Sequence, residues 1–279
     1  MKANSRLWRL LGALISFPIL SPALAQEEII ITAPRLAAAP GEAAYAVTRI
    51  DAADLAAAPT TRLDATLAGR GGFSLFRRAD SRSANPTTQG ATLRGLGPNG
   101  AGRALVLLDG VPQNDPFGGW VYWSALPQAA LEKVALHRGG GAGPFGAGAL
   151  SGVIDMTSAA PAAGLALDLA GGSFGSGEGA LLAGARMGDV GARLSLSGGT
   201  SDGFFLLPRS QRGAIDVPAA YDNFAGGLDL ATALGGDVMA ALRLAGFAER
   251  RVNGLAAAPN ETEGLEASLR LAREGAAAA

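Results

Sequence analysis

The chain has one histidine, His137, and no cysteine. Without a second imidazole or a thiolate there is no zinc set, and no Cys nucleophile or Ser-His-Asp triad to assemble. His137 reads as a polar strand residue beside Arg138. Gly141-Ala142-Gly143-Pro144-Phe145-Gly146 fits G-x-G-x-x-G after an apolar strand, and Asp168 follows at about the distance of a ribose-binding carboxylate. A dinucleotide loop must open a helix, so that the helix N-terminus meets the pyrophosphate. Here Gly148 and Gly152 follow, then a β-type run, and glycines at that density make a poor helix. These glycines are assigned to turns and close packing. No cofactor, no metal and no enzymatic activity are expected. Asn260-Glu261-Thr262 fits the glycosylation pattern and is taken as chance. Three charged residues stand at strand ends: Arg94, Asp109 and Arg138. A buried Arg–carboxylate pair would need a partner and good geometry; solvation at the surface is the alternative.

The elements that must position these residues are short. Leu105–Leu108 is a run of apolar residues, the mark of a strand buried on both faces. Asp109-Gly110 signals a turn and Pro112 stops the strand. Val134–Leu136 and Val153–Met156 are further strands, separated by the glycine loop Gly139–Gly148. Upstream, Val47–Ile50 is a strand. Asp51 caps a helix over Ala52–Ala58 that Pro59 closes, and Thr61 caps a second helix through Ala68 with Asp64 in a capping-box contact. Leu63 and Leu67 share one face of it.

In order along Thr92–Ser158 stand Arg94-Gly95, Asp109-Gly110-Val111-Pro112, Arg138-Gly139, and a run from Phe145-Gly146 through Gly152 to Ile154. This order resembles the plug domain of TonB-dependent outer-membrane receptors. The resemblance covers residues 27–158 by motif. It implies an α+β plug, a small mixed sheet with short helices, over residues 43–158. It also implies that Arg94, Asp109 and Arg138 contribute to contacts with the barrel wall. The segments Ser81–Thr88 and Gln113–Trp120 fall where that family's apical plug loops lie. They offer Asn85, Asn114, Asp115, Phe117 and Trp120, and polar groups among aromatics can hold a bulky, partly polar ligand. Trp123 reads as core packing, while Trp120 stays open between ligand contact and core.

Residues 1–25 read as a signal peptide. Lys2, Arg6 and Arg9 form the basic region, Leu10–Leu20 the apolar region, and Ala23-Leu24-Ala25 the cleavage site. The apolar stretch is too short to span a membrane, and no later segment has the length of a transmembrane helix. Immediately after it comes Glu28-Ile29-Ile30-Ile31-Thr32-Ala33, a β-favouring run ended by Pro34. Such a strand can add to another protein's sheet edge or pair within its own domain. It is similar to the TonB box, which implies a TonB-type energy-transducing protein as partner. Residues 26–42 are box and linker.

A formal net charge of −1 gives no electrostatic reason to expect nucleic acid as a partner. Forty-one glycines with 17% charged residues suit many strands and turns. After Ser158 the pattern becomes period two. Leu165, Leu167 and Leu169 alternate with small or polar residues, as do Leu194 and Leu196, Leu228 and Leu230, Leu242 and Leu244, and Leu265, Leu269 and Leu271. Six segments are read, near 164–172, 179–187, 192–200, 223–233, 238–247 and 263–272. Short connections (188–191, 234–237) alternate with long ones (201–222, 248–262). That suits antiparallel transmembrane β-barrel strands, apolar toward outer-membrane lipid, with short turns on one side and long loops on the other. A soluble sandwich alternates in the same way along each strand but gives no reason for the alternating connections.

The expectation is a TonB-dependent transporter in the bacterial outer membrane. A ferric siderophore, cobalamin or a similar chelate is captured at the outer loops, and the plug is rearranged by pulling on Glu28–Ala33. The alternative is a secreted or periplasmic plug-like binding module. Plugged transporters have about 22 strands. Six cannot surround a plug, so the barrel over 159–279 is expected to be incomplete, a fragment without independent transport.

Overall fold

The computed structural model describes residues 46–76, 81–96, 102–140, 145–146, 148–235 and 238–273. The expected signal peptide, the box at Glu28–Ala33, its linker, the loop residues 77–80 and Gly141–Pro144 lie outside the described residues.

Residues 46–158 form a small mixed sheet in the order β1-β6-β7-β4-β5, with few and short helices. Its strands are β1 (Ala46–Asp51), β4 (Ala104–Leu108), β5 (Val111–Pro112), β6 (Leu131–Arg138) and β7 (Gly152–Ser158). A separate pair joins β2 (Phe73–Leu75) to β3 (Ala91–Leu93). β4 and β7 run parallel, with Val106 beside Ile154, and the other pairs are antiparallel. Asp109 and Gly110 both have positive φ, 51° and 83°, which matches the right-handed twist of a two-residue hairpin and sets Leu108 opposite Val111. Gly152 begins β7 where a side chain has no room: a Cβ there would lie 2.1 Å from the His137 carbonyl oxygen.

The core of this unit is its own. Ile50, Leu63, Leu67, Leu93, Val106, Leu136, Ile154 and Met156 are fully buried, and Phe73 meets Trp123 edge to face at 5.9 Å. Trp123 is the core residue the sequence indicates; its indole donates to the Gln89 carbonyl. Helix α1 (Ala52–Ala56) is capped by Asp51, which accepts from the Asp54 N–H at 2.9 Å. It stops at Ala56, short of the expected Ala58, as Ala57 turns back onto Ala53.

Helix α2 (Leu63–Ala68) departs from expectation at its start. Arg62 is the N-cap residue and offers no side-chain cap. The Thr61 hydroxyl donates instead to Glu178, far along the chain, and the Asp64 carboxylate accepts from Ser81 rather than reaching back. These tertiary bonds outcompete the local cap because they are shielded from solvent and each involves a carboxylate.

Residues 164–273 form one antiparallel sheet with every strand beside its sequence neighbour. The strands are β8 (Gly164–Gly172), β9 (Ser176–Met187), β10 (Val190–Ser201), β11 (Tyr221–Gly235), β12 (Val238–Val252) and β13 (Pro259–Arg273). All six segments are where the alternation puts them. Most run longer than expected, so the last long connection shrinks to 253–258 while 202–220 stays long. The sheet is open, with β8 and β13 as its edges.

Its polarity is inverted relative to a soluble sandwich. Leu265 is 95% exposed and Leu165 75%, whereas Arg193 is 4% and Arg251 2% exposed. Leucines of alternate positions face away from the mixed-sheet unit, and charged residues are buried against it. On β12 the apolar outer run goes from Val238 to Ala248, and on β11 from Phe224 to Leu234. At ordinary strand rise and barrel tilt, each run covers roughly 25 Å, the height of a lipid-facing band. Beyond it the outer face turns polar, with Arg250 on Glu261 at 3.0 Å and Thr200 on Asp222 at 2.6 Å.

Candidate functional site at the seam between the two sheets

The seam is built from charged side chains that the period-two pattern aims inward. Arg62, at the head of α2, is 7% exposed. Its Nε donates to Glu178 of β9 at 3.0 Å, and one terminal nitrogen donates to Asn223 of β11 at 2.9 Å. The Tyr221 hydroxyl also donates to Glu178 at 2.9 Å, and the Tyr221 ring lies under the guanidinium at 5.0 Å. Burial alone would lower the pKa of Arg62, but Glu178, Tyr221 and Asp64 together hold it above its ordinary value. The cation therefore persists at any pH the protein meets.

A second contact comes from β12. Arg251 pairs with Glu249 on its own strand and donates to the Ser81 and Ala84 carbonyls. A third lies near the short-turn rim. Arg193 and Arg243 share Asp229, at 2.7 and 2.9 Å, and Arg193 also donates to the Ala159 carbonyl, where the chain passes from one sheet to the other. β13 supports the β4–β5 hairpin: Gln113 reaches Glu266 and Arg270 reaches the Asp109 carbonyl, both at 3.5 Å. Between α1, α2 and residues 123–131 on one side, and β8–β10 on the other, lies a cavity of about 280 Å³ bordered by Arg62, Gln128, Asp168 and Glu178.

The residues singled out in the sequence fall as follows. Asp109 accepts from the Ser158 N–H at 2.9 Å within its own unit, so its carboxylate ties β4 to the end of β7. Arg138 donates to Thr48 and to the Gly71 carbonyl, each at 2.7 Å, also within that unit. Arg94 is exposed with φ 63°, followed by Gly95 with the same φ. Gly139 and Gly146 have positive φ, and β7 begins at Gly152 with no helix among the described residues between them.

Asn114, Asp115, Phe117 and Trp120 share one tightly bonded loop. Asn114 accepts from the Val106 N–H and donates to the Ala104 and Gly119 carbonyls. Asp115 accepts from the Phe117 and Gly118 N–H groups. Trp120 closes over Gly118, where a Cβ would come within 1.7 Å of the ring. It meets Tyr122 edge to face, and Tyr122 meets Phe247 of β12 at 5.1 Å. Burial, with Asp115 nearby, keeps the Tyr122 phenol above its usual range and so neutral. Phe117 is 99% exposed. Asn85 lies apart on the other loop and accepts from the Thr87 N–H and hydroxyl.

Arg62, Glu178, Asn223, Glu249 and Arg251 are not found by reading the sequence locally, and Ser81, marked there as the start of a loop, sits in the seam instead. For Glu178, Asn223, Glu249 and Arg251 the signal is faint: isolated polar residues on the inward parity of otherwise apolar-and-small strands.

A small mixed sheet seated by one buried ion pair and by arginine–carbonyl contacts on the charged face of an outward-apolar sheet defines a class: a plug against the inner face of the first strands of a β-barrel. Residues 40–153 match the TonB-dependent Receptor Plug Domain family. That part of the chain is such a plug, and the described residues have the fold of a TonB-dependent receptor's plug and the start of its barrel. Among solved structures, it is similar to a mutant of the ferric enterobactin receptor PfeA from Pseudomonas aeruginosa, at 17% identity over 80% of this chain and 34% of that one, TM-score 0.56. It is also similar to the siderophore receptor PiuA from Acinetobacter baumannii, at 18% identity over 74% and 27%, TM-score 0.55. The copper transporter OprC matches at 17% identity over 79% and 33%, TM-score 0.60. The chain spans about a third of the length of these receptors. No curated protein matches it.

Proposed function

We propose that the chain is the N-terminal part of an outer-membrane transporter that takes up a scarce nutrient chelate, such as a ferric siderophore or cobalamin, driven by a TonB-type partner. The observation that carries this reading is the inverted wall: leucines outward, ion pairs inward against a plug of the TonB-dependent receptor family. On this reading the long connections 202–220 and 253–258 face outside, with residues 81–88 and 113–120 beneath them as ligand loops. Phe117 is the residue of this loop placed to meet a ligand, since its ring is free of the loop's own bonds. Asn114 and Asp115 act as its scaffold. Plug–wall contacts that are polar suit a plug that must move as a unit, because water can replace them only once the whole seam opens, whereas an apolar seam would resist separation.

The reading gives Glu28–Ala33 the role of an added strand on the partner's sheet edge. The test is co-purification from outer membranes with the periplasmic domain of a TonB protein. The chain is expected in the outer-membrane fraction, with the partner bound, and Ile30→Pro should abolish binding because proline removes a ladder donor. Recovery of the folded chain as a soluble periplasmic protein would overturn the reading in favour of a plug-like binding module.

A further inference from the structure

The long connections are tied to each other and to the end of β12. Val217 donates to the Gly254 carbonyl at 3.0 Å, Ala256 to Ile215 at 3.0 Å, and Val252 to Ala220 at 2.8 Å. Arg251 is the next residue down β12, and its guanidinium holds the Ser81 and Ala84 carbonyls of the plug. Ser81 is fully buried and bonded on all sides. Its N–H and hydroxyl donate to the two oxygens of Asp64, in the first turn of α2, at 2.6 and 2.9 Å. The same hydroxyl accepts from Arg62 at 3.3 Å, and Arg62 holds Glu178. A path of hydrogen bonds, joined by the one backbone step from Val252 to Arg251, therefore runs from the rim loops through Arg251 and Ser81 to α2 and the Arg62–Glu178 pair.

We propose that Arg251 and Ser81 relay the position of the rim loops to helix α2 and to the ion pair that seats the plug. Below the rim the path is buried, at Arg251, Ala84, Ser81, Asp64 and Arg62, so these groups cannot shift singly and find water instead. If the end of β12 moves with its loops, the Ser81 and Ala84 carbonyls lose their donor and residues 81–84 must follow. Ser81 then carries the displacement to both charges beneath it, because its hydroxyl stands between the Arg62 cation and the Asp64 carboxylate. As regulation of uptake, with loop closure over a ligand loosening the plug, the relay rests on the function proposed above. As coupling inside the molecule it does not.

Amide hydrogen exchange on the membrane-embedded chain tests it without a ligand. Arg251→Gln is expected to speed exchange at 81–84 and also across α2 by about tenfold, within the usual range of site-to-site coupling, while in Ser81→Ala, which frees Arg62 but keeps the backbone N–H on Asp64, the same change should move α2 only about threefold. Ser81→Thr keeps the hydroxyl and should restore transmission. If Arg251→Gln does not fold, Val217→Pro cuts the Val217–Gly254 bond and leaves the charged path intact; it should give the same α2 response, again reduced in Ser81→Ala. A response confined to 81–84 or to the rim, or one that persists in full in Ser81→Ala, overturns the relay. Failure of the TonB co-purification would remove its purpose and leave these outcomes unchanged.

Discussion

At the scale of single residues, burial decides what each polar group is worth. Arg62 and Glu178 lie in the seam at 7% and 11% side-chain exposure, beyond the reach of ordinary surface screening. Arg62→Gln strips Glu178 of its main counter-charge and should destabilise plug seating by roughly 3–5 kcal/mol, the cost of orphaning one partner of a buried pair. Limited proteolysis of the plug in denaturant reads that loss, and Arg62→Met with Glu178→Leu should recover a large part of it. The loop at 113–120 separates scaffold from surface in the same way. Asn114→Ala leaves three backbone groups without partners and should cost about 1–3 kcal/mol. Phe117→Ser should stay within about 0.5 kcal/mol, since the ring touches little. Paired thermal melts check both. The sequence marks this loop but not the division of labour, because whether an Asn faces a ligand or its own backbone depends on how the loop closes.

At the scale of elements, legibility followed the range of the forces. The Asp109-Gly110 hairpin is legible because two adjacent residues set its geometry. The six wall strands are legible because the alternation of leucine with small or polar residues is local, and only their ends are misjudged, since pairing with a neighbour extends a strand past its own pattern. The start of α2 is not legible: Thr61 and Asp64 look like caps, and they turn instead to Glu178 and Ser81. An ion pair between Arg62 and a strand more than a hundred residues away leaves no local trace. The strands also make a directional prediction. Leu244→Arg, near the middle of the apolar band on β12, should cost roughly 2–4 kcal/mol in membrane folding, and Ala245→Ser, on the inner face one residue on, far less. Urea titration of the reconstituted chain in lipid vesicles compares them.

At the scale of the whole molecule, two sheets with opposite habits make one functional unit. The plug hides its leucines and the wall shows them, and the charges of both meet between. This arrangement has a use only where something apolar covers the wall from outside, which is why the sheet reads as lipid-facing. The most direct measurement places a spin label at single cysteines along β11 and β12, in a chain that has no cysteine of its own. The account predicts that labels at Leu228, Leu230, Leu242 and Leu244 collide with dissolved oxygen and not with an aqueous nickel chelate, as residues in hydrocarbon do. It also predicts that labels at Gly227, Ala241 and Ala245 lose oxygen access, giving a two-residue period along both strands. Equal nickel access at all seven positions, or oxygen access without that period, would contradict a plug seated on a membrane wall.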